Sequence, residues 1–190
     1  MSLDQIMIRY TAPTLCGIKP GNLFTVKKAD FSQECFSKWK KRFEENGISV
    51  LTTESRCGKI IVITYNVTWV RLLLEDSFTR AFLASKGYSH CNENFCAQTF
   101  MKELSSRIKC EKDFPHEVGI ILGYPITDVI EFDLNKGRDC KYCGYWKSYS
   151  DIEKAKKCQT MYRECSEKCS RLLEEGFSLP QIIKEYKRAA

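Results

Sequence analysis

Hydrophobic residues recur at helical spacing along much of the chain. In DFSQECFSKWKKRFEENG, Phe31, Cys35, Trp39 and Phe43 follow one another every four residues, and Gly47 comes shortly after them. Residues at this spacing share one face of a helix and glycine commonly follows a helix end, so an amphipathic helix is predicted here. The same reasoning predicts two short helices over 68–86 and a helix over 92–109. It also predicts a long helix over 151–176, with its N-cap at 151, and a last helix from 179 or 180 onward.

Strand patterns are concentrated in the first third of the chain. The stretches ISVLTTES and KIIVITYNV are rich in β-branched residues and flank RCG, which predicts an antiparallel hairpin. Upstream, the prolines and glycines of TAPTLCGIKPGNLF predict loop and turn leading into a strand near 23–26, and GYWKSYS predicts a short strand. Strands come early and helices late. The predicted class is therefore α+β, with a small antiparallel sheet packed with several helices and a helix-rich C-terminal half, as a single domain over residues 1–190.

The stretch FPHEVGIILGYPITDVIEFDLNKG permits two interpretations. Its apolar residues 118–122 could form a short buried strand. Alternatively, Pro115 could open a helical turn that Gly123 ends, and Pro125 could open a second helix, because proline is favoured in a first turn and glycine after a last one. We favour the two helices.

Composition narrows the class of protein. With 190 residues, 43% of them hydrophobic and 28% charged, the chain is expected to be an ordinary globular protein. No apolar run approaches the roughly 20 residues of a membrane span, and no signal peptide is recognisable, so a soluble cytoplasmic protein is expected. The formal charge of +6 comes from 30 basic and 24 acidic residues that are dispersed among one another. Nucleic acid and membrane are therefore not expected as partners.

Eleven cysteines are the most unusual feature of the composition. Their number is odd and no export signal accompanies them, so most are expected to be free thiols of a reducing compartment. Buried apolar side chains, metal ligands and a redox pair are the roles open to them.

The CxxC motif in GRDCKYCGYWKSYSD permits a metal site. Cys140 and Cys143 could bind one tetrahedral metal, and Cys165 and Cys169 lie one helical turn apart, so the four thiolates could hold zinc or an iron–sulfur cluster. A redox pair is less favoured because this CxxC does not open a helix. We favour core packing without metal, since the helix stripe repeats at three and four residues: Ile152, Ala155, Cys158, Tyr162, Cys165, Cys169 and Leu172.

The two histidines are the only imidazoles available for chemistry. His116 and Glu117 could act as an acid–base pair, but adjacent residues on a helix point in different directions. Glu117 could instead stabilise a helix N-terminus. His90 could bind metal with Cys91 and Cys96, although a surface loop is the preferred interpretation there.

A thiol hydrolase is a further alternative. Cys16, His116 and a later Asp or Asn come in a suitable order for one. Order alone is weak support, because no signature of such an enzyme surrounds Cys16.

Three blocks of the sequence resemble those of an uncharacterised family of bacterial cytoplasmic proteins, common in clostridia-like anaerobes. The blocks are APTLCGIKPGNLF, FPHEVGIILGYPITDV and CKYCGYWKSYSD, in the family's order, and the resemblance covers essentially the whole chain. Family-defining positions are His116, Glu117, Gly119, Gly123, Tyr124, Pro125, Cys143, Gly144, Trp146 and Lys147.

The resemblance bears on the alternatives without supplying a reaction, because no activity is established for the family. Cys16 stands where the family has a small residue, which argues against the thiol hydrolase. Cys165 and Cys169 belong to no block, which argues against a four-thiolate site as a family property. Genes of this family often lie near flavodoxin and ferrous-iron uptake genes, so the resemblance implies a redox- or iron-linked role by association. No particular cofactor follows from it.

These observations predict a protein that binds a small molecule or a partner protein where the second and third blocks meet. Tyr124, Gly144, Tyr145 and Trp146 are the predicted ligand-binding residues. In the enzyme alternative, the candidate catalytic residues are His116, Glu117, Cys143 and Lys147. In a purely structural alternative, the aromatic residues of the two blocks pack one corner of the core.

Overall fold

The computed structural model describes residues 3–45, 47–55, 57–88, 96–110 and 113–189, and it has the predicted α+β architecture. The helices in these residues are α1 (Leu3–Leu15), α2 (Gln33–Glu44), α3 (Val67–Glu75), α4 (Ser77–Ser85), α5 (Ala97–Cys110), α6 (Val118–Ile121), α7 (Ile126–Asn135), α8 (Ile152–Glu174) and α9 (Leu179–Ala189). The strands are β1 (Gly21–Lys27), β2 (Ile48–Glu54), β3 (Lys59–Asn66), β4 (Tyr142–Cys143) and β5 (Lys147–Ser148).

The main sheet is antiparallel, with strand order β1-β3-β2. Strand β3 is the central strand, and its Val62 and Ile63 lie opposite Phe24 of β1 and Leu51 of β2, respectively. The predicted hairpin and the predicted strand before it are both confirmed. Strands β4 and β5 form a separate two-stranded hairpin.

The two faces of β3 contribute to two different hydrophobic cores. Ile61, Ile63 and Tyr65 belong to the first core, with residues of α3 to α7. Val62 points to the opposite face and belongs to the second core, with residues of α1, α8 and α9. Because successive side chains of a strand alternate between its faces, one strand supports both layers.

The N-terminal segment departs from its prediction. Residues 11–15 were expected to be loop and turn, but they form the end of α1. Ile8, Ala12 and Leu15 are buried at helical spacing, and this apolar stripe packs α1 against α8. Pro13 lies inside α1, where its missing N–H costs one helical hydrogen bond, and the burial of this stripe against α8 offsets that cost.

The other predicted helices are confirmed where the structure describes them. The stretch after Pro115 forms the two helices α6 and α7, and not a strand. The Asp151 side chain accepts a hydrogen bond from the Lys154 N–H at 2.9 Å, as its predicted capping role requires. Helix α5 begins at Ala97, so Cys96 of its predicted range lies before the helix, where it is exposed. Residues 92–95 of that range, like His90 and Cys91, lie outside the described residues. No described helix combines the length and apolar character that crossing a membrane requires.

Candidate functional site

The CxxC motif lies in and just before the β4–β5 hairpin. Cys143 pairs with Lys147, and Gly144 donates its N–H to the Trp146 carbonyl at 3.1 Å to close the turn. Cys140 precedes the hairpin and is half-buried, whereas Cys143 is exposed. The predicted turn and strand are therefore confirmed, and the CxxC does not open a helix.

Asp128, in the first turn of α7, attaches this hairpin to the rest of the protein. Its Oδ2 accepts a hydrogen bond from Trp146 Nε1 at 2.9 Å. Its Oδ1 accepts three more, from the Tyr149 N–H at 2.9 Å, the Ser150 N–H at 3.0 Å and the Ser150 hydroxyl at 2.8 Å. The residue is only 2% exposed, so one buried carboxylate connects the second block of the sequence to the third.

The four donors keep Asp128 ionised. Burial alone would raise the pKa of this carboxyl, because it disfavours the charged form. The hydrogen bonds from Tyr149, Trp146 and Ser150 outweigh burial and lower the pKa below its ordinary value. At neutral pH the hairpin is therefore held by charge-assisted hydrogen bonds, the stronger kind.

Tyr124 and Trp146 form the aromatic contact between the two blocks. Their rings stack with centroids 4.9 Å apart and planes 21° apart. The Tyr124 hydroxyl donates to the Tyr145 carbonyl at 3.4 Å, and burial raises the pKa of Tyr124 to about 12, so that this hydroxyl keeps its proton. The prediction that the two blocks meet in space is confirmed.

Two glycines of the blocks allow close packing inside the protein. A Cβ on Gly119 would lie 2.8 Å from Val129 Cγ2, and one on Gly144 would lie 1.9 Å from Gln159 Oε1. Both distances are too short for real contacts. The absence of a Cβ at both positions therefore lets side chains of the same chain pack closely against the backbone.

Changing Gly144 to Ala should destabilise the protein by about 1–3 kcal/mol, because the new methyl group overpacks the buried Gln159 side chain. Gly144 does not have a positive φ, so backbone strain adds little. Urea unfolding of Gly144→Ala, Gln159→Ala and the double variant measures this clash directly. In the Gln159→Ala background the glycine change should cost much less. An equal cost in both backgrounds would show that the clash is not the cause.

The second and third blocks enclose a cavity of about 390 Å³, which we call the aromatic cavity. Its walls come from the segment before α6, from α6 and α7, and from the hairpin turn. The lining residues are Phe114, His116, Val118, Gly119, Leu122, Tyr124, Asp128, Val129, Phe132, Cys143, Gly144, Tyr145, Trp146 and Lys147. All four predicted ligand-binding residues and three of the four candidate catalytic residues are among them.

Two polar side chains of the aromatic cavity, His116 and Lys147, lie beside Phe132. The His116 ring meets the Phe132 ring edge-on, with centroids 4.8 Å apart and planes 72° apart. The Lys147 ammonium lies 6.0 Å from the centre of the same ring and donates to the Gly137 carbonyl at 2.5 Å. This contact fixes Lys147 at the wall and leaves further N–H donors on its ammonium.

Glu117 does not line the aromatic cavity. It is buried at a neighbouring cavity of about 590 Å³, the polar cavity, which His116 and Phe132 also line. Asp133 in this cavity forms an ion pair with Lys86, at 2.5 Å between Nζ and Oδ2. Burial would raise the pKa of Asp133, but Lys86, Lys136 and His116 lower it overall. His116 thus lies between two cavities, and Glu117 faces only one of them.

Trp146 and Tyr124 separate the aromatic cavity from a third, the outer cavity. The outer cavity also measures about 390 Å³, and Trp69 and Pro20 contribute to its walls. The stacked pair is therefore a partition that lines a cavity on each side.

The thiols do not assemble as the four-thiolate alternative requires. Cys165 and Cys169 lie on the buried face of α8 in the second core, as the core stripe predicts, and Cys158 is half-buried. Among the described residues they converge with Cys16, and not with Cys140 or Cys143. Cys16 lies in this core and not at the cavity of His116, so the thiol-hydrolase arrangement is not formed.

Sequence reasoning missed three residues of this site. Phe114 and Phe132 supply two of the rings of the aromatic cavity, and Asp128 organises the hairpin. Phe114 and Asp128 lie within the quoted second block, which was the available signal. Nothing in the pattern distinguishes Asp128 from an acidic residue that stabilises the first turn of a helix.

The fold and the site define an α+β protein whose described residues enclose an aromatic cavity at the junction of two sequence blocks. The chain matches the family described as "Protein of unknown function (DUF3793)" over residues 7–183, and it belongs to that family. The resemblance to an uncharacterised family is confirmed at this level. No curated protein and no solved structure matches the chain.

Proposed function

We propose that the protein binds a small planar aromatic molecule with an anionic group in the aromatic cavity. The observation that carries this proposal is the convergence of five aromatic rings around one cavity, four of them from the second and third blocks and one from the rest of α7: Phe114, Tyr124, Tyr145, Trp146 and Phe132. Ligand sites are typically apolar cavities of about 300–1,000 Å³ with a few polar groups, and this one fits that description.

The exposure of the rings supports a ligand over simple packing. Phe114 is 46% exposed and Tyr145 is 56% exposed, although both line the cavity. A core corner would bury such large rings, because each exposed aromatic face loses favourable burial. A flat molecule between them would cover both rings.

The Lys147 ammonium at the cavity wall supports an anionic group on the ligand. The Asp128 carboxylate lines the wall, but its four hydrogen bonds satisfy it. The Lys147 ammonium keeps donors for a ligand, and the His116 ring adds a polar edge. A negatively charged group beside Lys147 would be stabilised, more strongly in an apolar cavity than in water.

Ligand binding is favoured over the enzyme alternative. An activated nucleophile or acid–base pair needs side chains within hydrogen-bond reach of one another. Among the hydrogen bonds of the described residues, none joins His116, Cys143 or Lys147 to another of these three, and Glu117 faces the polar cavity.

The proposal includes the redox-linked role that the family resemblance implies. A redox-active planar anion, such as a flavin nucleotide, would connect the cavity with that role. We also propose that the three blocks are the signature of the family. The protein then works in the cytoplasm of a clostridia-like bacterium. Free thiols such as Cys16, Cys140, Cys143 and Cys165 are compatible with a reducing compartment.

Naphthalene sulfonate, a small planar anion, should bind once per chain and change the tryptophan fluorescence. Tyr145→Ala should weaken this binding about two- to tenfold, because aromatic stacking is worth about 0.5–1.5 kcal/mol. Phe78→Ala is the matched control, since Phe78 is 71% exposed on α4 and does not line the cavity. Fluorescence titration measures each affinity.

Neutral naphthalene methanol tests the role of the charge. It should bind more weakly than the sulfonate, and Lys147→Met should remove most of this difference. Flavin mononucleotide serves as the redox-active probe in the same titration. Binding that is equal in the Tyr145→Ala and Phe78→Ala proteins, or absent for every probe, would refute the proposed function.

A further inference from the structure

Three cysteine sulfurs converge in the second core. None of these cysteines lines the aromatic cavity. Cys16 directly follows α1, and Cys165 and Cys169 lie one turn apart on α8. Their Sγ atoms all lie within 4.8 Å of one another, and those of Cys16 and Cys169 are 3.6 Å apart. Cys16 is 5% exposed, and Cys165 and Cys169 are 0% exposed. The buried stripe of α8 accounts for the positions of Cys165 and Cys169. It does not account for Cys16, which directly follows α1.

The spacing of the sulfurs fits a single metal ion. Metal–thiolate bonds of about 2.3 Å place three sulfurs about 4 Å apart around one ion, in a plane or at the corners of a tetrahedron. The three sulfurs lie close to this spacing, since all are within 4.8 Å of one another. An iron–sulfur cluster does not fit, because at least one of the three thiolates would bind a different iron atom from the others and would lie farther than 4.8 Å from them.

Tyr186 of α9 packs against the second core, in which the three sulfurs lie. It is half-buried, and the Lys168 ammonium lies 5.4 Å from the centre of its ring. The core around the sulfurs is formed by apolar side chains.

We propose that Cys16, Cys165 and Cys169 form a three-thiolate binding site for copper(I). Soft thiolate ligands select copper(I), zinc and iron–sulfur clusters, and the number of ligands separates these three. Structural zinc is almost always four-coordinate. Among the described residues, no further His, Cys, Asp or Glu ligand atom joins the three sulfurs. Copper(I) is a closed-shell ion that accepts three sulfur ligands in an apolar site without water.

The test is a competition titration of the full chain with copper(I) under anaerobic, reducing conditions, against the chelator bicinchoninate. A Cys140→Ser/Cys143→Ser background removes the exposed CxxC as a competing site. One copper per chain should bind, with a sulfur-to-copper charge-transfer band in the ultraviolet. Cys16→Ala, Cys165→Ala and Cys169→Ala should each lower the affinity at least about 100-fold, since even outer-shell partners of metal sites contribute 10- to 100-fold.

Cys158→Ala is the matched control, because Cys158 lies on the same helix and is half-buried outside the cluster. It should leave copper binding unchanged. If a cluster variant does not fold, X-ray absorption of the copper-loaded background protein decides, and it should show three sulfur neighbours. Two sulfur neighbours, copper affinity that is unchanged in the folded cluster variants, or zinc bound in preference to copper(I) would each overturn the proposal.

Discussion

Asp128→Ala should destabilise the protein by about 3–5 kcal/mol, because it leaves several buried donors unpaired at roughly 1–3 kcal/mol each. The change leaves the Trp146 indole N–H and the backbone N–H groups of Tyr149 and Ser150 without their acceptor. Buried donors without acceptors carry their full desolvation cost. Asp128→Asn retains one acceptor oxygen and should cost less. Urea unfolding at neutral pH measures both variants.

The pH dependence of stability identifies the charge as the cause. The pKa of Asp128 is lower in the folded protein than its unfolded value of about 3.9, so its contribution is fully present above that value. The contribution is lost as the pH falls through the lower, folded pKa. Stability should therefore drop more steeply with acid in the natural protein than in Asp128→Asn. Parallel acid profiles would show that the carboxylate charge does not hold the hairpin.

Trp146→Ala should also cost about 3–5 kcal/mol, as is usual for truncating a buried tryptophan. The change removes the ring that stacks on Tyr124 and the donor to Asp128. It also removes half of the partition between the aromatic and outer cavities, so that the two become one space. Urea unfolding measures the loss, and naphthalene sulfonate should bind more weakly because one wall is missing.

Trp69→Ala is the control for this second expectation. Trp69 is half-buried and lines the outer cavity but not the aromatic cavity. Its loss should cost less and should leave naphthalene sulfonate binding unchanged. If Trp69→Ala weakened the binding as much as Trp146→Ala does, the probe would not occupy the aromatic cavity.

Most elements of the fold could be predicted because their hydrophobic periodicity is local. The hairpin, the two helices after Pro115 and the capped α8 are each determined by neighbouring residues. Helix α1 was missed because Pro13 and the following glycines indicate a turn, whereas its burial against α8 outweighs that local preference. Tertiary packing routinely overrides propensity in this way.

The candidate site could be predicted only as far as its blocks. The aromatic residues of two blocks indicated that the blocks meet, and the stack of Tyr124 on Trp146 confirms it. The role of Asp128 depends on donors 18 to 22 positions away, and the contact of Cys16 with Cys169 spans 153 positions. No local pattern contains such pairings, because they arise when separate elements pack.

Strand β3 makes the two cores mechanically dependent on each other. Its alternate side chains are buried on opposite faces, and its backbone is hydrogen-bonded to β1 on one edge and β2 on the other. Neither core can open fully without exposing this strand, so we expect its amide hydrogens to exchange with solvent only when the whole protein unfolds. The β4–β5 hairpin lies outside this sheet and is joined to the rest of the protein by side chains, among them the Asp128 carboxylate and the Tyr124 ring, so we expect it to be a separate and weaker unit of exchange.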